Sequence, residues 1–244
     1  MKTHTTIPII LSAAVPATFA ASTTQLKPTA DTFLSSAAPS SNYGNQGTLV
    51  VAGDSSVRGT VPTGRFESVL KFDVGAAVSQ FDGEYGAGNW SISAVTLTFA
   101  SNVGTQGGLP NSTSFPSINS GLFSILWMQD DSWSETGITY NNLGNYTAVT
   151  SGLGSWTYVP PGDNVPVTWD LGSNAPLLAD VTAGGSVSFL VSPGDDTVAY
   201  LFNSRTYNSA VNQPVLTVSA IPEVSSLPLL LPALMGSLFI HRRS

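Results

Sequence analysis

The chain has 244 residues, 42% of them hydrophobic and only 9% charged, a balance that supports one packed domain of about 200 residues under a surface of Ser, Thr, Asn and Gly. Residues 22–220 hold five cations, Lys27, Arg58, Arg65, Lys71 and Arg205, against fourteen acids, which excludes nucleic acid as a partner because phosphate binding needs a basic field. Cysteine is absent, so neither a disulfide framework nor a thiolate nucleophile exists, and the only histidines, His4 and His241, lie in the terminal segments, which leaves the domain without the imidazole of general-base, triad and most zinc chemistry.

The chain opens with Met1-Lys2-Thr3-His4, an apolar stretch from Ile7 to Phe19, and the small residues Ala20 and Ala21. This is the layout of a removable signal peptide over residues 1–21. The protein is therefore expected to be exported.

From there the hydrophobic period is two. Val95, Leu97 and Phe99 alternate with Thr96 and Thr98; Phe123, Ile125 and Trp127 form a second such face, and Val165, Val167 and Trp169 a third. Each pattern predicts a half-buried strand with Trp127 and Trp169 in the core. Further strands are expected at 48–52, 66–73, 156–159, 187–191, 198–202 and 215–219, separated by Gly and Pro clusters. No stretch predicts an amphipathic helix. Eight to ten short strands read as an all-β, antiparallel β-sandwich, jelly-roll-like, over residues 22–220, whose longest loop is 102–121.

Chemistry-bearing side chains are few. Trp133 of Trp133-Ser134-Glu135, with Tyr140 nearby, has two readings: the ring stacks on a sugar, or the indole plugs one end of the sandwich, and the plug is favoured. Arg65, Lys71 and Arg205 form an anion site if they converge on one sheet face, or else pair with acids such as Glu67 and Asp73. The neighbouring carboxylates Asp130-Asp131 and Asp195-Asp196 point to opposite faces if they lie in strands, which argues against a glycosidase and against an enzyme in general. Calcium in a loop stays open for them, since oxygen ligands suit that ion, although no dense Asp-x-Asp loop exists.

At the far end, Ile221-Pro222-Glu223-Val224-Ser225-Ser226 precedes an apolar stretch at 227–240 and then His241-Arg242-Arg243. As a helix that stretch is about 21 Å long, a short membrane anchor against a bilayer core of roughly 30 Å, with the arginines held on the cytoplasmic side. Residues 221–244 resemble the PEP-CTERM sorting signal, with Pro222 and Glu223 as motif residues, Val224 where that family usually has proline, and Arg242 and Arg243 as the basic end. The resemblance implies recognition by an exosortase-type enzyme.

The domain itself resembles the DNRLRE domain. The likeness is carried in order by Ala30-Asp31-Thr32-Phe33, Asn42-Tyr43-Gly44, Ser68-Val69-Leu70-Lys71-Phe72-Asp73, Asp131-Ser132-Trp133-Ser134-Glu135, Ile138-Thr139-Tyr140-Asn141, Asn203-Ser204-Arg205 and Pro214-Val215-Leu216. It implies a carbohydrate-binding-module-like sandwich that adheres to or binds extracellular glycans, and the side chains read above, Arg65, Lys71, Trp133, Tyr140 and Arg205, are the candidate ligand contacts. The expected partner is an extracellular polysaccharide, acidic if the three cations grip it. The alternative is a structural matrix or biofilm protein with no specific ligand.

Overall fold

The computed structural model describes residues 20–102 and 115–223. The strands are β1 (Ser22–Leu26), β2 (Pro28–Ser35), β3 (Thr48–Ala52), β4 (Val57–Arg58), β5 (Val61–Pro62), β6 (Phe66–Asp73), β7 (Trp90–Ala100), β8 (Gly121–Met128), β9 (Thr150–Tyr158), β10 (Pro166–Asp170), β11 (Ser186–Pro193), β12 (Ala199–Asn203) and β13 (Val215–Pro222). Three helices interrupt them: α1 (Gly75–Tyr85), α2 (Leu143–Tyr146) and α3 (Ala175–Ala183). A first sheet has the order β1-β13-β7-β10 and a second the order β12-β3-β6-β11-β8-β9, with β2 also paired to β6. All named pairings are antiparallel, and the two sheets pack as the expected sandwich.

Alternation builds the core. In β7 the buried Val95, Leu97 and Phe99 face Leu70 and Phe72 of β6, Phe123 and Ile125 of β8, and Val187, Phe189 and Val191 of β11 within one cluster. Trp127 and Trp169 join that cluster, 8% and 6% exposed. The outward residues pair across strands instead, as where the Thr98 and Thr168 hydroxyls lie 2.7 Å apart.

The second sheet is covered on both faces. Its outer face carries Leu34, Val69, Met128 and Leu190, and these pack against Trp133, Ile138 and Leu143 from the chain between β8 and β9. That is why β6 reads as a nearly continuous buried run rather than an alternating one. Where β3 turns away from β6, Ser68 stands in for a strand: its hydroxyl accepts from Val50 N at 3.0 Å and donates to Val50 O at 2.8 Å.

Two helices correct the sequence reading, which expects none. α1 buries only Ala77 and Phe81, one turn apart, against the main cluster. α3 buries Leu177 and Val181 in the same way and is capped by Asn174, whose side chain accepts from Leu177 N at 3.1 Å, with Pro176 in its first turn. Two fully buried residues per helix, with Val78 and Tyr85 of α1 and Leu178 of α3 only partly buried beside them, are too few to raise a period-3.6 signal above the neighbouring Gly, Ser and Ala.

The chain enters and leaves at one edge. Ser22 at the start of β1 is paired with Ala220 near the end of β13, Pro222 is paired with Trp90, and Glu223 N donates to Asn89 O at 2.8 Å. The expected leader lies outside the described residues except for its last two, and so do Arg242, Arg243 and the apolar stretch before them. Among the described residues no helix is long and apolar enough to cross a membrane.

Candidate functional site

A cleft of about 470 Å³ opens where the end of β2, the Ala37–Ala38 turn, Tyr43 and the β4–β5 hairpin meet Phe115. Its back wall is aromatic: Tyr43 stacks on Phe33 with centroids 4.2 Å apart and planes at 18°, and Phe115 meets Phe33 edge-on at 5.5 Å. Phe66 closes the base at 5.9 Å from Phe33. These rings belong to a small cluster of their own with Val50, Ala52, Ala199 and Leu201. The hairpin forms the opposite wall. Gly59, at φ +63°, supplies the left-handed residue that a two-residue turn with the right strand twist requires.

Hydrogen bonds hold that hairpin in place. Ser56 and Thr63 share a hydroxyl contact at 2.7 Å and a backbone bond at 3.0 Å, Ser117 N donates to Val57 O at 2.9 Å, and Arg58 Nη1 donates to Phe115 O at 3.1 Å. The cleft is lined by one cation, Arg58, by the side chains of Ser35, Thr63 and Tyr43, and by no carboxylate among the described residues. Its size and its mix of apolar wall and few polar groups are those of a small-ligand site.

The residues singled out from sequence stand elsewhere. Arg65 donates to Glu67 Oε1 through Nε and Nη2 at 3.2 and 3.0 Å, and to Ser192 Oγ at 2.8 Å, with Asp54 at 3.6 Å. Lys71 lies six residues further along the same face, about 20 Å away at 3.3 Å per residue. Its Nζ donates to the carbonyls of Asp131 and Trp133, both at 2.5 Å, and sits 4.6 Å from the Trp133 ring centre. Burial pulls its pKa down, against the opposing charges of Asp131 and Asp130.

Arg205 closes the other side of the same loop. Its guanidinium donates to both oxygens of Glu135, while Glu135 Oε1 also accepts from Asp31 N at 3.0 Å and Asn42 Nδ2 donates to the Glu135 carbonyl at 2.7 Å. Gly44 lies so close that an added Cβ would come within 2.6 Å of Glu135, so only glycine fits there. The expected convergence of Arg65, Lys71 and Arg205 on a ligand is thus corrected: Lys71 and Arg205 converge on residues 131–135, and Arg65 stands apart. Trp133 is 1% exposed with its indole N–H donating to Ser188 Oγ at 2.9 Å, which makes it the plug and removes it from sugar stacking. Tyr140 is half-buried against this plug.

Two carboxyls beside this loop are driven towards their neutral form. Burial pushes Asp31 up to about 7, partly offset by the Arg205 backbone N–H, and pushes Asp131 up to about 6. Of the paired acids, Asp130 caps its own turn, Oδ1 accepting from Ser132 N at 2.8 Å, while Asp195 Oδ2 reaches across to accept from Leu122 N of β8 at 2.5 Å. Among the described residues no three acidic or imidazole side chains come together to hold a metal ion.

The cleft escaped sequence reasoning because its lining comes from five separate stretches. The available signal was Val57-Arg58-Gly59-Thr60-Val61, valines flanking a glycine turn.

Residues 22–99 match the family model described as Carbohydrate-binding module family 96. No curated protein matches the chain. The match spans β1 to β7, about a third of the chain, and includes every residue named in the cleft except Phe115. The described residues form a carbohydrate-binding-module-like β-sandwich whose cleft falls within the part that is similar to that family.

Proposed function

We propose that this protein is an exported, non-catalytic module that binds an extracellular polysaccharide in the cleft between Tyr43 and the β4–β5 hairpin. The observation that carries this reading is the position of the cleft inside the segment similar to a carbohydrate-binding family. An acidic polysaccharide is favoured, since Arg58 is the one charged residue lining the described cleft and the ring of Tyr43 offers a face to a pyranose.

Export rests on the signal-peptide layout of residues 1–21, and it agrees with a first strand that begins at Ser22. Residues 221–244 serve in this reading as a sorting tail, handled by an exosortase-type enzyme, that holds the protein at the membrane before release to the cell surface or matrix. Intact-mass measurement on native material is expected to show a chain that begins near Ser22 and ends near Pro222; a full-length mass would overturn it.

A glycan array with the purified protein tests the binding. Retention of uronate-rich or sulfated glycans, weakened by salt and lost when Tyr43 and Arg58 are both replaced by alanine, supports the cleft. Failure to retain any glycan with the fold intact leaves a structural matrix protein.

A further inference from the structure

Buried polar side chains are hydrogen-bonded almost without exception, so a group of orphans in one place marks a missing partner. Among the described residues, five buried side-chain oxygens have no partner, and three of them are Asp31 Oδ1, Gln46 Oε1 and Thr48 Oγ1, the other two being Asp131 Oδ1 and Tyr158 Oη. The first three residues are all tied to one short stretch, residues 203–206. Thr48 is paired with Asn203 in the β3–β12 ladder. The Gln46 carbonyl accepts from Ser204 Oγ at 2.7 Å and from Thr206 Oγ1 at 2.8 Å. Asp31 Oδ2 accepts from Arg205 N at 2.7 Å. Asp31 and Thr48 are each 1% exposed, so bulk water does not complete them.

The charges point the same way. The Arg205 guanidinium is taken up by both oxygens of Glu135, which leaves that pair neutral. The Asp31 carboxylate beside it then has one backbone N–H and no cation of its own, and an uncompensated buried charge is costly. A carboxylate, an amide oxygen and a hydroxyl are hard ligands, the kind that calcium and sodium take and that softer metals leave to nitrogen and sulfur.

We propose that Asp31, Gln46 and Thr48 hold a hard cation of calcium's size, calcium or sodium, which ties β2 and β3 to the segment that follows β12. The site is separate from the cleft and stands whether or not the protein binds a glycan.

The test is thermal melting of the purified full-length protein after chelation, then with calcium, magnesium, sodium or choline chloride. Calcium or sodium is expected to raise the melting temperature by on the order of 5–10 °C at about a hundredfold excess over its Kd, and choline to leave it unchanged. Magnesium, which keeps its waters, is expected to act less. Asp31→Asn and the isosteric Thr48→Val are both expected to lose most of that rise, and Thr48→Val keeps the shape of the site so that folding is preserved. Identical melting in all conditions, which leaves only an ordered water among these oxygens, overturns the proposal. So does a cation response in Thr48→Val equal to that of the parent protein.

Discussion

The wall of the cleft and the loop over the outer face of the second sheet use the same kinds of side chain and differ in what those side chains have left to offer. In the loop, Trp133 spends its N–H on Ser188, Lys71 its ammonium on two carbonyls, and Glu135 both oxygens on Arg205. In the cleft, Tyr43 stacks on Phe33 and also lines open volume, and Arg58, while donating to the Phe115 carbonyl, lines the same volume from an exposed hairpin. A tryptophan next to a cation and an acid therefore describes a lock as readily as a sugar platform. Burial and hydrogen-bond accounting decide which it is.

The largest effect that sharpens this contrast is expected from Trp133→Ala, which empties a fully buried indole site: a loss of about 3–5 kcal/mol in chemical unfolding, with glycan affinity unchanged where the protein still folds. A loss below about 1 kcal/mol would show that the loop is not a lock. Next is pH. Asp31 and Asp131 have folded pKa values raised to about 7 and about 6, above an unfolded value near 4. The folded state therefore binds more protons than the unfolded state across that window, and its stability falls as pH rises from about 4 to 7. Unfolding in the presence of chelator is expected to show about 3 kcal/mol less stability at pH 8 than at pH 5, most of it from Asp31 because solvent screens the half-buried Asp131. The opposite slope would mean that the two carboxyls are compensated in solution.

Smaller again, Lys71→Met is expected to cost about 1–2 kcal/mol by stranding the Asp131 and Trp133 carbonyls, again without touching affinity. The cleft variants should invert the pattern. Tyr43→Ala or Arg58→Ala is expected to weaken polysaccharide binding about tenfold, ~1.4 kcal/mol by calorimetry. The same loss from Lys71→Met would erase the distinction between the two regions.

How much of this is legible in the sequence follows from the range of each interaction. Val95, Leu97 and Phe99 announce a strand because alternation is local, and Trp127 and Trp169 announce the core for the same reason. The helices are masked because Ala77 and Phe81, or Leu177 and Val181, are the only residues each one buries fully. The fate of Lys71 is illegible, because its partners lie some sixty residues away and are backbone carbonyls that any side chain would carry. Arg65 is misleading for another reason: its strongest partner, Glu67, is two residues on and shares its strand face, as the period of two requires.

The pairing of Ser22 with Ala220 has a practical consequence for anyone who would immobilise the molecule. β7 runs from Trp90, beside that edge, to Ala100, about 33 Å away at 3.3 Å per residue, and Ser101 there bridges to Phe202 beside the β12 residues that back the cleft. A linker, label or fusion partner joined directly before Ser22 or after Pro222 thus leaves from the end of the sandwich remote from the cleft. On a sensor chip or a bead, one-point attachment of the 22–222 domain at Ser22 or Pro222 presents Tyr43 and the hairpin to the solution.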